Sequence, residues 1–259
     1  MTTEALLVTT LGAAVGAVGG ALVPRLVASI PEPEVLRATA QLAAERVGES
    51  VGMGEEQPSG TAPKELYAEV AALPRLGWWS AATGAAIGGL FGWDTGLDWS
   101  LIWLLGLIPV LLALCVVDFR TKLLPTVVVV PATLATLVSV VVVGLLSGAV
   151  DDLVRAVVAM LGVRTFYRLL YLVDGSGIGF GDVRLAALLG LVMGWQGWGT
   201  SVVGTIAPFV LMAVPALLAA LVRWDRGMLR TAWPFGPFMV LGWVIVVVWG
   251  EWLAAFLWR

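Results

Sequence analysis

WSLIWLLGLIPVLLALCVV, residues 99–117, is a run of 19 residues without a single charged side chain, and its reading decides the fold. A helix that is apolar on every side is buried in a large core or in lipid. About 20 such residues cross the roughly 30 Å hydrocarbon layer of a bilayer. Similar runs recur along the chain and predict spans at about 5–23, 77–93, 99–117, 126–147, 153–173, 184–200, 201–222 and 236–257. The sixth and seventh are separated only by the turn region Trp195–Gly199. Composition agrees: 59% of the residues are hydrophobic, 13% are charged, and the mean hydropathy is +0.95. A soluble domain is closer to half apolar and a quarter charged. The expected fold is an all-α polytopic membrane protein of about eight transmembrane helices with a small helical cytosolic insert.

The same numbers narrow the chemistry. The net charge of −3 offers no basic field for nucleic acid. There is no histidine, which removes serine–histidine and cysteine–histidine catalysis and every histidine-ligated metal site. Cys115 is the sole cysteine, so neither an internal disulfide nor a Cys-x-x-Cys zinc site can form. Carboxylates, a few cations and hydroxyls remain, and no metal or other cofactor is expected.

Three segments are expected: the first transmembrane helix at 1–29, a cytosolic insert at 30–75, and a seven-helix core at 76–259. The first stretch has Glu4 and no Lys or Arg ahead of a long apolar run, so it reads as a retained span rather than a signal peptide. Within the insert, 34–47 has the spacing of a short amphipathic helix, 48–63 reads as a flexible linker, and Lys64 to Leu73 as a second short helix. Positive charge sets the orientation. With the N-terminus outside, Arg25, Arg37, Arg46, Lys64, Arg75, Arg120, Lys122, Arg184, Arg223, Arg226 and Arg230 all fall inside. The outer connections 94–98, 148–152 and 195–200 carry no Lys or Arg. Both termini are therefore expected outside. Trp78, Trp79, Trp93, Trp99, Trp195, Trp198, Trp224 and Trp233 fall near span ends, as interfacial anchors do.

Two polar segments break the hydrophobic background. Asp118-Phe119-Arg120-Thr121-Lys122-Leu123-Leu124-Pro125 follows the third span. Gly175-Ser176-Gly177-Ile178-Gly179-Phe180-Gly181-Asp182-Val183-Arg184-Leu185 leads into the sixth. Both fall at the inner membrane face, where acids on two helices can converge. Taken alone, Asp118 could be an ordinary interfacial charge and Asp182 a helix cap. Asp174 reads as a loop charge, and Asp94, Asp98, Asp151 and Asp152 fall on the opposite face. Arg120 and Arg184 are each two residues from an acid and should point elsewhere on a helix.

Gly179-x-Gly181-Asp182 followed by Val183-Arg184-Leu185 resembles the GxGD signature of the type IV prepilin peptidases. The Asp118…Leu124-Pro125 segment resembles that family's first catalytic stretch, and Pro234-Phe235-Gly236-Pro237-Phe238, then Gly242, its C-terminal Pro-Phe-Gly-Pro segment. The three occur in the family's order, and the resemblance covers about residue 76 to the C-terminus.

The resemblance implies an aspartic endopeptidase in the cytoplasmic membrane of a prokaryote, with Asp118 and Asp182 as the catalytic pair. Gly179, Gly181 and Arg184 then belong to the active-site loop, and Leu124, Pro125, Pro234, Gly236 and Pro237 support it. Its partners would be the bilayer and prepilin-like substrates with an N-terminal leader ahead of a hydrophobic helix. Bifunctional members carry paired cysteines after the first span. Residues 30–75 have none, so the resemblance extends to peptide cleavage and not to methyl transfer.

Hydrolysis by two carboxylates needs one ionised and one protonated. By helix dipoles, Asp182 at a helix N-terminus is the expected carboxylate, and Asp118 at a helix C-terminus the expected acid. Two competing readings are a small transporter, whose ion sites use intramembrane acids, and an inactive scaffold of a pilus or secretion apparatus.

Overall fold

The computed structural model describes residues 3–34, 38, 65–173, 178–223 and 234–257. The amphipathic helix expected at 34–47 falls almost wholly outside the described residues. So do the linker at 48–63, Asp174, Gly175, Gly177, Trp224, Trp233 and the cations Arg37, Arg46, Lys64, Arg226, Arg230 and Arg259.

The described secondary structure is helical: α1 (Thr3–Ala21), α2 (Val23–Ser29), α3 (Tyr67–Ala71), α4 (Leu76–Thr95), α5 (Leu101–Thr121), α6 (Thr126–Ser147), α7 (Val150–Val173), α8 (Phe180–Gln196), α9 (Trp198–Arg223) and α10 (Gly236–Leu257). Among the described residues, six helices are long and apolar enough to cross a membrane: α1, α5, α6, α7, α9 and α10. α4 and α8 fall outside that set. α8 has 17 residues, and glycine, serine and threonine dilute the apolar content of α4. The chain is a polytopic membrane protein, as its composition requires.

Helix boundaries follow local chemistry. Asp98 accepts the Ser100 N–H at 2.8 Å just before α5. Lys122, at φ 55°, turns the chain out of α5, and Pro125 precedes α6. The expected first span is broken at Leu22, where α1 gives way to α2 with Pro24 in its first turn. The expected turn at 195–199 does divide two helices: α8 ends at Gln196 and α9 starts at Trp198.

α1 and α4 run antiparallel at backbone contact. A Cβ on Gly16 would lie 2.0 Å from the Gly84 carbonyl oxygen, and one on Gly88 would lie 2.1 Å from that of Gly12. Small residues are what let membrane helices approach this closely. α8 is the central helix, buried without a break from Leu185 to Gly194. Gly194 lets α7 close on it, since a Cβ there would lie 2.5 Å from that of Ala159. Arg155 completes this pair by donating to the carbonyls of Gly194 and Trp195, at 2.7 and 2.6 Å, at the end of α8.

Helix direction alternates along the chain. The ends of α5, α7 and α9 and the starts of α6, α8 and α10 therefore share one end of the bundle with Asp118. Asp94, Asp98, Asp151 and Asp152 lie at the far end. Trp78, Trp79, Trp93, Trp99 and Trp198 are exposed near helix ends, as anchors should be. Trp195 instead turns inward to meet Trp103 edge-on, with ring centroids 5.2 Å apart.

Gly16→Ala should lower unfolding stability in detergent by about 1–3 kcal/mol, because its Cβ has no room beside α4. Gly106→Ala, with no atom within 4 Å of the added Cβ, should leave it unchanged or raise it by up to about 1 kcal/mol, because alanine is the better helix former. Thermal unfolding followed by circular dichroism measures both.

Candidate active site

Asp118 lies in the last turn of α5 and Asp182 in the first turn of α8. Both are buried, 5% and 7% exposed. A buried carboxylate without a hydrogen-bond partner costs several kcal/mol, and each of these has a backbone donor. Gly236 N–H donates to Asp118 Oδ2 at 2.9 Å. Gly179 N–H donates to Asp182 Oδ2 at 2.8 Å. The two acids are 64 positions apart in sequence and lie at the same end of the bundle, in the last turn of α5 and the first turn of α8.

The three sequence motifs meet around them. A Cβ on Gly236 would lie 2.8 Å from Asp118 Oδ2, so glycine lets α10 bring its first amide onto the carboxylate. A Cβ on Gly181 would lie 2.7 Å from that of Leu124, so the start of α8 rests on the turn that follows Asp118. Arg184 reaches across to the Thr126 hydroxyl at the start of α6, with its guanidinium 4.4 Å over the Phe180 ring. Pro125 precedes α6, Pro234 leads towards Gly236, and Pro237 is the second residue of α10. Phe235 is held within an aromatic group, 5.1 Å from Phe209 and 6.1 Å from Tyr167.

The cations behave as their spacing predicts. Arg120 pairs with Glu65 at 2.8 Å, Arg184 turns to Thr126, and neither pairs with Asp118 or Asp182. Asp182 also acts as a cap, since its carboxylate accepts the amide of Gly179, the residue just ahead of α8. The dipole argument for dividing the acids needs correction. Asp118 does sit at the C-terminus of its own helix, yet the first amide of α10 points at it. Each acid therefore faces one helix N-terminus, and helix ends alone do not assign the proton.

Sequence reading missed Thr126, Tyr167 and Phe209, which carry no motif, and gave the Pro-Phe-Gly-Pro segment a supporting place without foreseeing its amide on Asp118. A signal was present there: proline at a helix start beside glycine marks an N-terminus with free amides. Cys115 is half-buried and packs against the core, as expected for a small apolar residue. Among the described residues, no three His, Cys, Asp or Glu gather as metal ligands would.

Residues 105–248 match a family model described as the type IV leader peptidase family. Curated relatives named prepilin leader peptidase/N-methyltransferase include one from Pseudomonas putida, 36% identical over 160 residues, covering 61% of this chain and 54% of its own length. One from Stutzerimonas stutzeri is 31% identical over 170 residues, covering 65% and 57%. One from Pseudomonas aeruginosa is 31% identical over 172 residues, covering 64% and 56%. The chain thus spans little more than half the length of the curated relatives it matches. No solved structure matches it.

Arg184→Ala should raise amide hydrogen exchange about fivefold at 122–127 and 178–183 and leave 101–115 unchanged. It removes one partly exposed hydrogen bond of roughly 1 kcal/mol that ties these two segments together.

Proposed function

This chain belongs to the type IV leader peptidase family, and we propose that it is an aspartic endopeptidase whose catalytic pair is Asp118 and Asp182. Its substrates are prepilin-like proteins, cut at the junction between a leader and a hydrophobic helix. Two buried acids from distant segments, in terminal turns that the close approach of Gly181 to Leu124 joins at one end of the bundle, carry the reading. Two carboxyl groups bonded to one water would hold a single proton between them, and that proton would belong to the pair.

The reaction needs nothing else. The ionised carboxylate takes a proton from water as its oxygen adds to the scissile carbonyl carbon, and the protonated partner gives its proton to the carbonyl oxygen. When the tetrahedral species collapses, the C–N bond breaks, the proton taken from water passes to the leaving amine, and one hydroxyl of the diol returns a proton to the carboxylate that gave one, restoring the pair. The two backbone donors supplied by Gly236 and Gly179 fix the orientation of the pair before substrate arrives.

The acidic pair faces the cytosol in this proposal, with residues 76–259 as the peptidase core. Arg25, Arg75, Arg120, Lys122 and Arg184 belong to the Asp118 end of the described bundle and Arg155 to the far end, which supports that orientation. A substrate helix lying in the bilayer presents its leader junction at the same interface. Methyl transfer is left out, because residues 30–75 carry no cysteine. A transporter has less support, since both acids lie in terminal turns and not at mid-span.

Co-expression with a prepilin-like substrate should give the shortened product with the parent chain. Asp118→Asn and Asp182→Asn should each lower cleavage by about a thousandfold. An uncut substrate with the parent, or cleavage surviving either substitution, rejects the assignment. Gly236→Ala, which forces Asp118 to move, should lower kcat about tenfold and leave KM near the parent value.

A further inference from the structure

Residues 65–73 touch the turn that carries Asp118 through an apolar cluster with Val117 and an ion pair with Arg120. Tyr67 and Val70 of α3 are 1% and 0% exposed. They form a second core with Val23, Val27 and Ile30, against Ala113 and Val117 of α5. Val117 is the residue before Asp118. Leu123, beside the Leu124 that seats Gly181, packs against the same core.

Polar contacts hold this arm in register. Glu32, just past α2, accepts the Ala68 N–H at 3.1 Å. Glu69 accepts the Leu66 N–H at 3.0 Å. Glu65 pairs with Arg120, two residues beyond Asp118. The Tyr67 hydroxyl is buried and finds no hydrogen-bond partner among the described residues. Burial, then the charge of Glu32, pushes the phenol up to about 12, so it stays neutral at ordinary pH. The Tyr67 ring is the part that lies in the core with Val117.

We propose that residues 65–73 are a positioning strut for the catalytic site: Tyr67 and Val70 brace Val117, and Glu65 holds Arg120, so that the turn carrying Asp118 keeps its place opposite Asp182. Residues 65–73 then set the geometry of the peptidase site through the turn that carries Asp118. This rests on the peptidase reading above. It assigns these residues an effect on kcat and none on substrate affinity.

The test uses the full chain in detergent with a prepilin-like substrate. Glu65→Arg and Arg120→Glu should each lower kcat about threefold to fivefold, the scale of one exposed ion pair, with KM within about twofold of the parent. The double exchange should restore kcat. Tyr67→Ala should lower kcat at least about tenfold and speed hydrogen exchange at amides 117–123, with helical content retained, whereas Tyr67→Phe should match the parent. The strut is overturned if the double exchange fails to restore kcat, if the single variants change KM and not kcat, or if Tyr67→Ala leaves exchange at 117–123 unchanged. A parent that cuts no substrate defeats the peptidase reading instead. The exchange measurement then still decides whether α3 braces the Asp118 turn.

Discussion

Asp118 leaves the last turn of α5 and accepts the first amide of α10, and the rest of the site is arranged around that hydrogen bond. A carboxylate so deeply buried is expensive in an apolar bundle. The arrangement is tolerable because a helix N-terminus supplies free amides and a favourable dipole where the charge lies. The geometry is unforgiving. Glycine suits position 236, since a Cβ there would fall 2.8 Å from the carboxylate oxygen and push Asp118 aside. The Asp182 side repeats the device with Gly179 as the donor.

Several contacts of the bundle bring these two constructions together. α8 is packed on all sides, and Arg155 secures its far end, so the position of its first turn is fixed by the whole helix. Gly181 on Leu124 and Arg184 on Thr126 then join that turn to the segment that follows Asp118. On the other flank, Tyr67 and Val70 close over Val117. The α1–α4 glycine contact lies along a separate flank of the molecule and bears on stability more than on the site.

Much of this was legible in the residues. Uncharged runs revealed the spans, because lipid tolerates little else. The two aspartates and the glycines beside them stood out because acids and flexible backbone are costly there. Count and boundaries were less legible: α8 is shorter than an average span, and the first span breaks at Leu22 ahead of Pro24. Tertiary partners were illegible for a different reason. Thr126, Tyr167 and Phe209 are ordinary residues in apolar helices, and nothing local marks what they will meet. The same limit misled the dipole argument, which considered the helix bearing Asp118 and could not see α10 arrive from 118 residues away.

The most direct test is the gap between the two carboxyl groups in an experimental structure of the chain in a lipid nanodisc. One water bonded to both acids requires their nearest oxygens to lie within about 6 Å of each other, twice an ordinary hydrogen-bond length. The account predicts that spacing, with the Gly236 amide still on Asp118. Carboxyl groups kept apart by an intervening side chain, or Asp118 turned away from α10, would contradict it.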